Sequence, residues 1–196
     1  MTALVSDPEL DAAVRVCARA MRDNPLHCAV FGDDPERRER RLQAFFAAVL
    51  PWIRRRGMLL AFDEETHGVM GLLPPGACRP TLPEKLRMLP ALSRSLTPTG
   101  VMRMRRWLTA WASRDPAAPH WHLGPLAVDP LHQRRGIGTR LLRAALARVD
   151  EAAGIAYLET DTEANVVFYR RFGFVTVATA NVVGVPNWFM QRAPGG

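Results

Sequence analysis

The chain has 196 residues, 48% hydrophobic and 23% charged, with a formal net charge of +7. This is the balance of a single globular domain long enough to bury a core, and it excludes wholesale disorder. No apolar run approaches the ~20 residues of a membrane helix, and "MTALVSDPELDAAV" carries acids where a signal peptide needs basic and apolar residues, so a cytoplasmic protein with no membrane partner is expected.

The three cysteines, Cys17, Cys28 and Cys78, show no CxxC spacing and leave an odd one over. Neither a disulfide framework nor a metal site is expected from them. The five histidines form no HExxH pattern. Arginine carries nearly all the positive charge, which favours anionic partners: nucleic acid, or equally a phosphate-rich cosubstrate. The nearest feature to a nucleic-acid stripe is "RMRRW" at 103–107, which a solvated helix face explains as simply.

Residues 8–23 repeat apolar positions at helical spacing (Leu10, Ala13, Val14, Cys17, Ala20, Met21), with Asp7 placed as N-cap and Pro8 at the first turn. A second helix over 34–55 presents Leu42, Phe45, Phe46, Val49 and Leu50, behind a solvated "ERRERR" and ahead of Gly57. "MLLAFD" (58–63) and "GVMGLL" (68–73) read as a hairpin. Residues 80–116 read as an inserted helical segment, with a helix over 99–113 whose inner side is Val101, Met104, Leu108 and Trp111. From 119 the order is strand (120–129), helix (137–153), strand (155–161), short helix (163–173) and a final antiparallel pair. The strand–helix–strand unit requires a parallel pair with a right-handed crossover. The expected fold is therefore mixed α/β, a twisted, mostly antiparallel sheet with one parallel crossover and flanking helices.

The chemistry gathers at "HQRRGIGTRLLRAALARV", 132–149. An amphipathic helix opens there on Gly136 and Gly138. A helix N-terminus presents unpaired N–H groups and a positive dipole end, which attract phosphate. Glycine lets a ligand approach that backbone. The dinucleotide fingerprint fails because Leu141 holds its third glycine position, and no P-loop exists. Upstream, Gly124 and Pro125 interrupt "LGPLAV", which marks a bulge or an edge strand.

Together, "LGPLAVDP", "HQRRGIGTRLL", "YLET" and "NVVFYRRFGF" resemble the GNAT superfamily of N-acetyltransferases over about 119–192. The final strands are similar to its puromycin N-acetyltransferase-like branch. The resemblance implies one GNAT domain over 1–196 and acetyl-CoA as cosubstrate, without a metal. It implies acetyl transfer to a primary amine of a small molecule or peptide by direct attack in a ternary complex. Leu126, Ala127 and Val128 would contact the pantetheine arm. Gln133, Arg134, Arg135, Gly136, Ile137, Gly138 and Thr139 would cradle the pyrophosphate, and Asn165 would contact the pantetheine or order its loop. Tyr169 would be the general acid, since its reference pKa lies near that of a thiol; packing against Phe168 and Phe172 is its alternative.

Candidate bases are Glu159, whose strand neighbours are largely apolar, and His122, which shares a strand face with His120. Arg94, Arg103, Arg105 and Arg106 would favour an acidic acceptor; Trp107, Trp111 and Trp121 would instead line a pocket for an aromatic amine. Two other classes compete: a non-catalytic CoA-binding sensor on the same fold, and, on charge alone, a nucleic-acid-binding protein. Superfamily members often pair, so a homodimer is compatible with the resemblance.

Overall fold

The computed structural model describes residues 2–4 and 9–196. In chain order it runs β1 (Thr2–Leu4), α1 (Leu10–Ala20), α2 (Pro25–Phe31), α3 (Pro35–Arg56), β2 (Met58–Phe62), β3 (Gly68–Leu73), α4 (Leu82–Ser95) and α5 (Pro98–Ala112). There follow β4 (His120–Val128), a single 3-10 turn, α6 (Ile137–Glu151), β5 (Ile155–Thr160), α7 (Glu163–Arg170), β6 (Val175–Val182) and β7 (Val185–Arg192). The seven strands of the described residues form one sheet in the order β1-β2-β3-β4-β5-β7-β6. Among the described residues only the β4–β5 pair is parallel, and α6 makes its crossover. The expected mixed sheet is therefore present. The capping pair Asp7 and Pro8 lies outside the described residues.

Alternation along the strands divides the core between two faces. Leu59, Ala61, Val69 and Leu73 pack with Ala13, Cys17, Leu42, Phe46 and Leu50 beneath α1–α3. Leu60, Met70, Leu72, Leu158 and Met190 pack with Leu141, Ala145 and Val149 of α6 on the other face. Cys17 is fully buried in the first cluster, and burial pushes its thiol far above the usual range. Among the described residues no helix is long and apolar enough to cross a membrane.

Three expectations need correction. Arg38 belongs to the supposedly solvated "ERRERR" but is 4% exposed. Its guanidinium donates to the carbonyls of Arg22, Gly32 and Asp33 and to the Asp23 carboxylate, at 2.5–2.9 Å. It thus satisfies the carbonyls of the α1–α2 and α2–α3 turns, which no periodicity argument detects. In α5 the inner face is Gly100, Met104 and Trp107, while Val101 and Leu108 are exposed. That helix is apolar on several sides, so spacing alone does not choose the buried one. Finally, α2 and α4 are distinct helices where the sequence marks only a connection and a helical insertion.

His27 on α2 is buried among Phe31, Phe46 and Trp107, with ring centroids 5.9, 6.5 and 5.4 Å away. Burial, assisted by the Arg38 charge, pulls its imidazole from 6.5 down to about 4. A depressed histidine stays neutral in the fold and charges more readily when unfolded. Its contribution is therefore intact above pH 6.5 and lost as pH falls toward 4, by up to about 3 kcal/mol. Urea midpoints at pH 7 and pH 4.5 should show a smaller acid loss in His27→Phe than in wild type. An equal loss in both would assign the acid limb to other groups.

Candidate active site

The parallel pair parts almost as soon as it forms. β4 pairs with β5 only through His120, Trp121 and His122, opposite Ile155, Ala156 and Tyr157. Beyond that, β5 follows β7 and β4 follows β3. The divergence begins at the bulge expected from sequence: Leu123 faces Leu72 and Leu126 faces Met70, so Gly124 and Pro125 together oppose Gly71. Sequence reading missed Gly71 itself. A Cβ there would stand 2.4 Å from the Gly124 carbonyl oxygen, so glycine is required for the strands to meet. Leu126, Ala127 and Val128 thus lie on a stretch of β4 with no β5 partner, one side of an opening between strands.

At the end of β4 the chain turns into α6. The Asp129 carboxylate accepts from the Leu131 N–H and from Arg19, and the Gln133 side-chain amide donates to the Val128 carbonyl at 3.2 Å. Arg134 adopts φ 61° and Gly136 φ 78°, and Gly136 caps α6 without a side-chain hydrogen bond. Arg134, Arg135 and Gly136 are exposed, whereas the Ile137 side chain is buried and only its backbone can face a ligand. No acidic residue occupies the first turn of α6. The turn is therefore an uncompensated positive helix end with open backbone. Beside it, Thr139, Arg143, Phe168, Arg171 and Phe172 line a groove of about 380 Å³ between α6 and α7. Arg143 and Arg171 had no signal in the sequence beyond their charge.

Both candidate bases meet across the opening. His122 Nε2 lies 2.9 Å from Glu159 Oε2, and the Glu159 side chain is only 2% exposed. Burial pulls the His122 imidazole down, but the Glu159 carboxylate, the Cys78 thiol and Asp115 outweigh it and push it up to about 10. Glu159 Oε1 is buried without a partner among the described residues. Tyr169, buried at 8% exposure, packs edge-on to Phe168 and tilted against Phe174. Burial, reinforced by the Asp161 carboxylate, pushes its phenol well above the usual range. The near-match to a thiol expected from reference values therefore does not hold; the phenol keeps its proton more firmly.

Asn165 donates to Thr160 Oγ1 at 3.1 Å, a bond between α7 and the end of β5. Asp161, unremarked in the sequence, accepts from the Leu26 N–H at 2.8 Å and joins α2 to the end of β5. The tryptophans do not form one pocket. Trp107 is 5% exposed in the core, Trp111 donates to Asn187 at 3.0 Å, and Trp121 packs beside Gly154. Arg94, Arg103, Arg105 and Arg106 do lie on the outer surface of the insertion.

A layered α/β domain with an open helix N-terminus at a strand–helix turn, next to a parted parallel pair, is the class these residues define. Residues 100–176 match the family model described as the GNAT acetyltransferase domain. The N-alpha-acetyltransferase RimI of Mycobacterium tuberculosis is 41% identical over 78 residues, covering 36% of this chain and 47% of that protein. The chain thus spans less than half the length of that relative. Among solved structures, a histone acetyltransferase HPA2-related acetyltransferase from Corynebacterium glutamicum superposes with a TM-score of 0.74 at 19% identity, covering 100% of this chain and 97% of that one. A GNAT family acetyltransferase from Brucella melitensis, in complex with acetyl-CoA, gives 0.53 at 18% identity, covering 100% and 88%. At these identities the likeness is one of fold.

Proposed function

We propose that the protein transfers the acetyl group of acetyl-CoA to a primary amine of a small molecule or peptide. The observation that carries this reading is the parting of β4 from β5 directly ahead of the open Gly136 turn. An extended pantetheine arm could add to the free side of β4 at Leu126–Val128 while its pyrophosphate meets the α6 N-terminus. Gln133, Arg134, Arg135, Gly138 and Thr139 surround that position, and Arg143 and Arg171 extend positive charge along the groove.

In the transfer, the amine nitrogen bonds to the thioester carbon and the carbon–sulfur bond breaks. A backbone N–H of β4 would stabilise the developing oxyanion. Glu159, with Oε1 free and Oε2 held by His122, would take the proton leaving the amine; His122 then positions the carboxylate rather than accepting the proton itself. Tyr169, protonated at neutral pH, would donate a hydrogen bond to sulfur as negative charge develops there.

The test is release of free thiol from acetyl-CoA with peptide α-amines, polyamines, aminoglycosides and aminonucleosides as acceptors. Turnover on one acceptor class, with acetylated product seen by mass spectrometry, is expected. CoA binding without acetylation of any amine would contradict the enzymatic reading and favour a sensor.

A further inference from the structure

One cysteine and two histidines that lie far apart in sequence meet at the start of β4. Cys78 sits in the loop after β3, and His120 and His122 open β4. One donor atom from each lies within 4.8 Å of the other two. No metal motif shows in the sequence because two of these donors are on a strand and the third is on a distant loop.

The protonation pattern is set by partners. His120 Nδ1 lies 2.9 Å from the Ala118 carbonyl, which can only accept, so that nitrogen carries the proton. Its Nε2 is left as a lone pair, buried and without a partner among the described residues, in a residue 6% exposed. His122 is arranged in the opposite sense. Its Nε2 is held by Glu159, and its buried Nδ1 makes no well-formed hydrogen bond among the described residues, although the nearby Cys78 thiol favours the protonated ring. Leaving such nitrogens unpaired is unfavourable. A carboxylate on one ring nitrogen, with the other nitrogen free, is also how metal-bound histidines are commonly oriented.

We propose that Cys78, His120 and His122 bind a divalent ion of the zinc class, through Sγ, Nε2 and Nδ1, with Glu159 orienting His122. One sulfur and two imidazole nitrogens select zinc or cobalt over magnesium and calcium, which take oxygen donors. Tetrahedral coordination sets donor–donor separations of about 3.3–3.7 Å, so the three groups close by roughly 1 Å onto the ion. A fourth position stays open. On binding, Cys78 releases its proton to solvent and His122 releases any proton on Nδ1. The ion with its thiolate then carries one net positive charge beside Glu159, the same charge as the imidazolium it replaces. The bound ion pins the loop leading to α4 against β4, beneath the inserted helices.

The experiment adds cobalt(II) to the reduced, full-length protein without acetyl-CoA, so its outcome is independent of the acetyltransferase reading. One equivalent should produce a thiolate-to-cobalt charge-transfer band in the near ultraviolet, bleached by zinc. The band should vanish in Cys78→Ser and persist in Cys28→Ser, and zinc should raise the thermal midpoint of wild type but not of Cys78→Ser. No band in wild type at stoichiometric cobalt, or a band that survives Cys78→Ser, overturns the proposal.

Discussion

Gly138→Asp is expected to weaken acetyl-CoA binding by about a hundredfold or more, close to 3 kcal/mol, while leaving the fold at least as stable. The space is available: a Cβ at Gly138 would sit 3.6 Å from Val128 Cγ2 and 3.9 Å from Phe168 Cζ, ordinary contacts. The backbone there is not left-handed, unlike that of Gly136 at φ 78°, where any side chain would add strain. The first turn of α6 contains no acid. A carboxylate placed in it should stabilise the helix by about 0.3–1 kcal/mol. That same carboxylate would occupy and neutralise the anion cradle. Calorimetric titration and a thermal melt check both halves. Unimpaired binding in a well-folded variant would mean that phosphate does not use this turn.

Tyr169→Phe should lower kcat by about a hundredfold, within the usual range for a positioned acid, and leave acetyl-CoA affinity unchanged. Phenylalanine retains the packing against Phe168 and Phe174, whose ring centroids lie 5.3 and 5.8 Å away. Only the hydroxyl is removed, from a phenol that burial keeps protonated. The loss should therefore appear in turnover, not in binding or stability. An unchanged kcat would reduce Tyr169 to a packing residue, the alternative its aromatic neighbours already suggest.

Local features were legible in the sequence. The Gly136–Gly138 turn, the Gly124–Pro125 bulge and the α6 crossover each declare themselves within a few residues, because glycine and proline restrict the backbone where they stand. Contacts between distant segments were not legible. Glu159 and His122 were each singled out, but nothing in the sequence joined them into one pair. Gly71 reads as an ordinary strand residue until β4 is laid against it. Arg38 looks solvated because its acceptors are backbone carbonyls of turns, which leave no pattern. The α5 helix shows the limit of periodicity: Val101 and Leu108 are as apolar as Met104, and only packing against α2 decides which side is buried.

Acetyl-CoA also distinguishes a phosphate cradle from a merely tight turn. Titrating the wild-type protein with acetyl-CoA and with acetyl-pantetheine, which lacks the pyrophosphate and nucleotide, compares the two directly. Binding of acetyl-CoA that exceeds acetyl-pantetheine by about a hundredfold, and that shrinks as salt rises, is the expected result. Equal affinity for the two, or no affinity for either, would contradict the assignment of the α6 N-terminus as the site that holds the cosubstrate.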